Sequence, residues 1–169
     1  MTAMGQVLNV LRILVLLKLW LILLLYITYK MSERPFMFRA LPAAVEVQGV
    51  EWIAGDSGLR EGCGVAVFRL APGMQQRLQA RGLAALDGAR QARGHSEAYY
   101  HYQPWQATPV LNNLGSDGWL ALSCGDLPQA LEQRINNALE QPGSYFARKD
   151  EGVLLVLPAA GLVVYGYNG

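Results

Sequence analysis

Residues Val7 to Tyr29 form an almost unbroken apolar run, VLNVLRILVLLKLWLILLLYITY. As a helix rising about 1.5 Å per residue, such a run reaches about 35 Å, enough to cross a bilayer core of about 30 Å with some tilt. Leucine occupies nearly every face, so little is left of the polar face that a helix on a soluble domain needs. Tyr26 and Tyr29 close the run, where amphipathic rings suit the headgroup level. Lys30, Met31, Ser32, Glu33 and Arg34 follow, without the small-x-small pattern of a cleavage site. The expectation is a retained transmembrane anchor over residues 1–30, a linker over residues 31–44 and a globular domain over residues 45–169.

Lys18 interrupts the run near its middle, where a lysine costs about 2.5–3.5 kcal/mol on the insertion scale. Two accounts are open. The apolar core is shorter, about Leu19 to Tyr29, and Lys18 snorkels toward the N-terminal side. Otherwise Lys18 makes an intramembrane contact, facing a partner helix on the stripe Leu11, Leu14, Lys18, Leu21, Leu25. Snorkelling is the simpler account from sequence.

The charges flanking the run barely choose an orientation. Arg12 and the amino terminus stand on one side, and Lys30, Arg34 and Arg39 on the other. The short tail before the run resembles a signal anchor, which places the domain outside the cytoplasm. Cys63 and Cys124 bear on the same question. They are either a disulfide closing a long loop or two small buried residues in a reducing compartment.

Beyond the first 39 residues, 130 of the 169 remain, enough to bury a core. From residue 40 on, nine basic residues face twelve acidic ones, a net charge near −3. A mildly acidic domain lacks the phosphate-neutralising charge on which nucleic-acid affinity rests, so no nucleic-acid partner is expected. The basic residues from Arg77 to Arg93 are spread along a helical stretch and read as a solvated face.

Alternation predicts strands over Val45–Ile53 and Cys63–Leu70. Pro72 opens a helix with Met74, Leu78, Ala85 and Ala89 on one face, a break near Gly82 and an end at Gly94. Tyr99–Trp105 and Trp119–Cys124 read as strands, with a loop over Pro109–Gly118 between them. Asp126 is placed to cap a helix with Pro128 in its first turn, and Leu127, Leu131, Ile135 and Leu139 form its apolar stripe. Ser144–Lys149, Val153–Leu157 and Leu162–Tyr167 read as three strands joined by tight turns. The expected fold class is α+β: an N-terminal transmembrane helix, then a two-layer domain of mostly antiparallel sheet with two helices packed on it.

Chemistry is harder to find. Cys63, His95, His101 and Cys124 lack the close pairing that zinc ligands show, so no metal is expected. No phosphate-binding glycine loop is present, and no cofactor is expected. Ser57 in Gly-Asp-Ser-Gly reads as a turn. Cys124, at a strand end before a helix, is the one arrangement that suggests a nucleophile, with His95 or His101 as its base. Burial or a bond to Cys63 accounts for it more simply, so no catalytic residue is assigned.

An extended Tyr99–Trp105 would put Tyr99, His101 and Trp105 on one face, a candidate partner-binding surface. Lysine-poor, Ala- and Gly-rich usage fits a bacterial source. The functional expectation is non-enzymatic: a single-pass protein of a bacterial inner membrane whose periplasmic domain binds another envelope protein. It would be an assembly subunit or an immunity-type inhibitor, with the lipid bilayer and that protein as partners. The alternatives are a tethered enzyme using Cys124 with a histidine, and a cytoplasm-facing accessory subunit of a larger membrane complex.

Overall fold

The computed structural model describes residues 3–57, 62–109 and 124–169. The chain divides into two units, Met1–Phe36 and Met37–Gly169. Helix α1 (Ala3–Arg39) accounts for the described part of the first. It is long and apolar enough to cross a membrane, and none of its most apolar window is buried by protein. Thr28 donates its hydroxyl to the carbonyl of Leu24 at 2.8 Å, which satisfies that side chain within the helix.

Helix α1 does not stop where the linker was expected. It passes through Pro35 and ends at Arg39. Proline removes one helical hydrogen bond and crowds the preceding turn. Burial offsets that cost within the second unit: Met37, Ala40, Leu41 and Val45 all join the core. Polar contacts hold the same stretch. Tyr102 donates its hydroxyl to the Ala40 carbonyl at 2.8 Å, and the Arg93 amide donates to Leu41 at 3.1 Å. The Arg93 guanidinium donates to the Val45 carbonyl at 2.6 Å and lies 4.0 Å from the Phe38 ring centroid. Residues 37–44 are thus part of the domain and not a free linker.

The domain contains β1 (Val47–Ser57), β2 (Gly62–Leu70), α2 (Pro72–Arg81), β3 (Gln106–Ala107), α3 (Gln129–Leu139), β4 (Tyr145–Lys149), β5 (Gly152–Leu157) and β6 (Leu162–Asn168). Among the described residues, six strands form one sheet in the order β1-β2-β6-β5-β4-β3, with every neighbouring pair antiparallel. The α+β class follows directly. Its layering differs from the two-layer expectation, because the sheet is covered on both faces.

One face carries Ala147, Leu154, Tyr165 and Ala66 in register across β4, β5, β6 and β2. Met74 and Leu78 of α2 pack there, with Leu86, Ala89, Tyr102 and Trp105 from the following segment. The other face carries Phe146, Leu155, Val164 and Val67 in register, under Leu131, Ile135, Ala138 and Leu139 of α3. A continuous apolar strand such as β5 marks a sheet buried on both sides. Val153 to Leu157 are all buried.

Helix boundaries follow local chemistry. Pro72 stands in the first turn of α2, and Gly82 ends it with φ 56°, a left-handed conformation suited to glycine. A 3-10 turn over Gly82–Leu86 replaces the rest of the expected helix. Helix α3 starts one residue after Pro128, which occupies the cap position expected for Asp126. The Trp119–Cys124 strand and the loop before it lie, except for Pro109 and Cys124, outside the described residues.

Candidate functional site

The segment expected as the strand Tyr99–Trp105 is not one. Ala98–Tyr100 forms a 3-10 turn, Gln103 gives a single amide hydrogen bond to the Arg148 carbonyl of β4 at 2.6 Å, and ladder pairing with β4 covers Gln106 and Ala107. Alternation therefore fails, and the three residues expected on one face separate. Trp105 is only 8% exposed and donates its indole N–H to the Ala89 carbonyl at 2.8 Å. It is a core residue and is removed from the partner-binding face. Tyr99 is 42% exposed, and His101 is also exposed.

Tyr99 stands in a compact polar-aromatic cluster. Its hydroxyl donates to the Glu151 carboxylate at 2.7 Å, across the β4–β5 turn. Lys149 Nζ lies 4.2 Å from the Tyr99 ring centroid and donates to the Asp150 carbonyl at 2.9 Å. Tyr100 meets Tyr99 edge-on, with centroids 5.0 Å apart, and His95 stacks on Tyr100 at 3.7 Å. His101 Nδ1 is 3.1 Å from the side-chain oxygen of Gln91.

Glu151 has φ 57°, the one positive φ outside glycine among the described residues. This left-handed conformation is costly for a residue with a Cβ. The neighbouring Gly152, without a Cβ, would adopt it at no such cost. The turn thereby carries a carboxylate where glycine would be cheaper, and that carboxylate holds Tyr99.

Electrostatics follows from this packing. Partial burial, then the bond to Glu151, pushes the Tyr99 phenol up to about 12. Burial also raises Tyr102 and Tyr165. Lys149, only 7% exposed, is lowered by burial against the opposing pull of Glu151 and Asp150. The turn's acids and the tyrosine ring both stand against the cation.

The cysteines are joined. Cys63 and Cys124 form a disulfide with Cα atoms 5.7 Å apart, tying β2 to the segment before α3. Gly125 follows, and a Cβ there would collide with the Val65 side chain, so the chain lies directly on the sheet after the bond. With its sulfur bonded, Cys124 has no thiolate to offer, and the cysteine–histidine catalytic arrangement is without its nucleophile. Among the described residues no group of His, Cys, Asp and Glu is arranged to hold a metal ion.

The sequence pointed to Tyr99 and His101 but missed Lys149 and Glu151, which reach the site through the sheet register. The Asp150-Glu151-Gly152 turn was legible, whereas its proximity to Tyr99 depends on the path from Gln91 to Gln106. No family model matches the chain, and no curated protein or solved structure matches it significantly.

Proposed function

We propose that the chain is a single-pass protein of a bacterial inner membrane whose domain lies on the periplasmic side and binds another envelope protein, as an assembly subunit or an immunity-type inhibitor. The observation that carries this reading is the Cys63–Cys124 disulfide in a domain following a helix long and apolar enough to span. Structural disulfides persist on the oxidising side of a membrane and are rare in the cytosol. That favours the periplasmic orientation over the cytoplasm-facing accessory subunit.

The binding reading draws support from the Tyr99 cluster. A half-exposed tyrosine held by Glu151, Lys149 and Tyr100 loses little side-chain freedom when a partner covers it. Rigid aromatic residues of this kind serve as anchors in protein interfaces.

Two measurements test the proposal. A reporter fused after Gly169 is expected to be active only if it folds in the periplasm; activity of a cytoplasmic reporter would overturn the sidedness. Affinity purification of the full-length protein in mild detergent is expected to recover a partner that Tyr99→Ala depletes. Equal recovery by wild type and Tyr99→Ala would remove this surface from the reading.

A further inference from the structure

Lys18 is the charged residue of the Val7–Tyr29 run that lies beyond the reach of either headgroup layer when the run is centred in the bilayer. It stands eleven residues from each end of the run, so each end is about 16 Å away along the helix. A lysine stem extends about 6 Å, which leaves its ammonium well inside the hydrocarbon. Arg12 differs: it is five residues, or about 7.5 Å, from Val7, within snorkelling reach.

Sliding the helix rescues Lys18 only at the expense of other residues. Leu19–Tyr29 alone covers about half of a core of about 30 Å. Because α1 continues unbroken to Arg39, the missing length would be supplied by Lys30, Glu33 and Arg34. A smaller slide, to a core of about Leu14–Glu33, puts Lys18 about 6 Å from one face but expels Val7, Leu8, Val10, Leu11 and Ile13 from the hydrocarbon and draws Lys30 and Glu33 into its last turn. The continuous helix thus weighs against the snorkelling account that the sequence favoured.

Nor can the chain neutralise Lys18 internally. The first acidic residue is Glu33, fifteen residues on, or about 22 Å along the helix. A second parallel copy would only bring another Lys18 to the same depth. We infer that Lys18 pairs, near mid-membrane, with the carboxylate of an Asp or Glu on the spanning helix of a different protein. Leu11, Leu14, Leu21 and Leu25 lie on the same side of α1 and form the apolar surround of that contact. The inference rests on the reading of α1 as a membrane span and names the chemistry of the partner.

The test uses the full-length protein in its native membrane, with a photo-crosslinking amino acid placed at Leu14 or Leu21, and at Leu16 or Leu23 on the opposite side. Crosslinks are expected from Leu14 and Leu21 to another membrane protein whose span contains Asp or Glu, with at least fivefold less from Leu16 and Leu23. Lys18→Leu is expected to lower the yield at least tenfold, and Lys18→Arg to retain most of it. Converting the partner's carboxylate to the amide is expected to cause the same loss, with no further loss when combined with Lys18→Leu.

Adducts with lipid alone or with a second copy, or a yield unchanged by Lys18→Leu, would overturn the pairing. Alkaline carbonate extraction of wild-type protein separates the two levels. Release from the membrane would overturn the span and the pairing together. Retention with an adverse crosslinking result would overturn the pairing alone.

Discussion

Trp105 and Tyr99 are six residues apart and do opposite things. Trp105 fills the core and satisfies its N–H on Ala89, so Trp105→Ala is expected to cost about 3–5 kcal/mol in denaturant unfolding. Tyr99→Ala is expected to cost about 1 kcal/mol or less, because the ring is partly exposed. Its effect should fall on partner recovery instead. The Tyr99 phenol also sets a pH dependence. Its folded pKa of about 12 lies above the unfolded value near 10, so its contribution is complete below pH 10 and is lost as pH rises toward 12. Lys149 has the opposite sign, since its lowered pKa adds stability as pH rises toward the ordinary 10.5. The net loss should therefore steepen above that pH. Urea midpoints measured from pH 9 to 11.5 are expected to fall, and to fall less in Tyr99→Phe.

At the scale of elements, the decisive fact is that α2 and α3 cover opposite faces of one sheet. Ile135→Ala on α3 and Leu154→Ala, beneath the α2 layer, should each cost about 2–5 kcal/mol. The measurement is chemical denaturation of both variants. Near-neutral behaviour of Ile135→Ala would mean that the α3 face is not a core. Helix α3 was legible because Leu131, Ile135 and Leu139 repeat at the helical period. The three C-terminal strands were legible from their turns. The strand expected at Tyr99–Trp105 was not there, because aromatic propensity cannot tell a strand from an irregular segment whose rings fill a core. Tyr102 and Trp105 are buried by α2 and its following turns, and their spacing of three does not fit alternation about a sheet.

For the whole molecule, the disulfide closes a loop with a sequence separation of 61. In the chain-entropy model such a closure contributes about 4 kcal/mol. The double variant Cys63→Ala/Cys124→Ala is expected to lose stability on that order, with the sheet retained by circular dichroism. Production in a reducing cytosol should give the same loss in the wild type. Stability unchanged by either route would mean that the bond adds nothing beyond what the sheet already holds. The anchor and the domain then have separate tasks under the proposed function: Lys18 selects a partner helix, and the Tyr99 surface contacts a folded partner.

The sequence by itself determined the apolar helix, the α+β class, the α3 stripe and the three C-terminal strands, because each rests on local periodicity or turn chemistry. It also exposed the problem of Lys18, since charge and hydrophobic length are properties of the run alone. Only the tertiary structure decided that Met37, Ala40 and Leu41 belong to the core, that the sheet is covered on both faces, and that Trp105 is buried while Tyr99 is not. It likewise joined Cys63 to Cys124 and brought Lys149 and Glu151 to Tyr99. Those outcomes depend on which distant strands pair and in what register, and long-range pairing leaves no periodic trace in the chain.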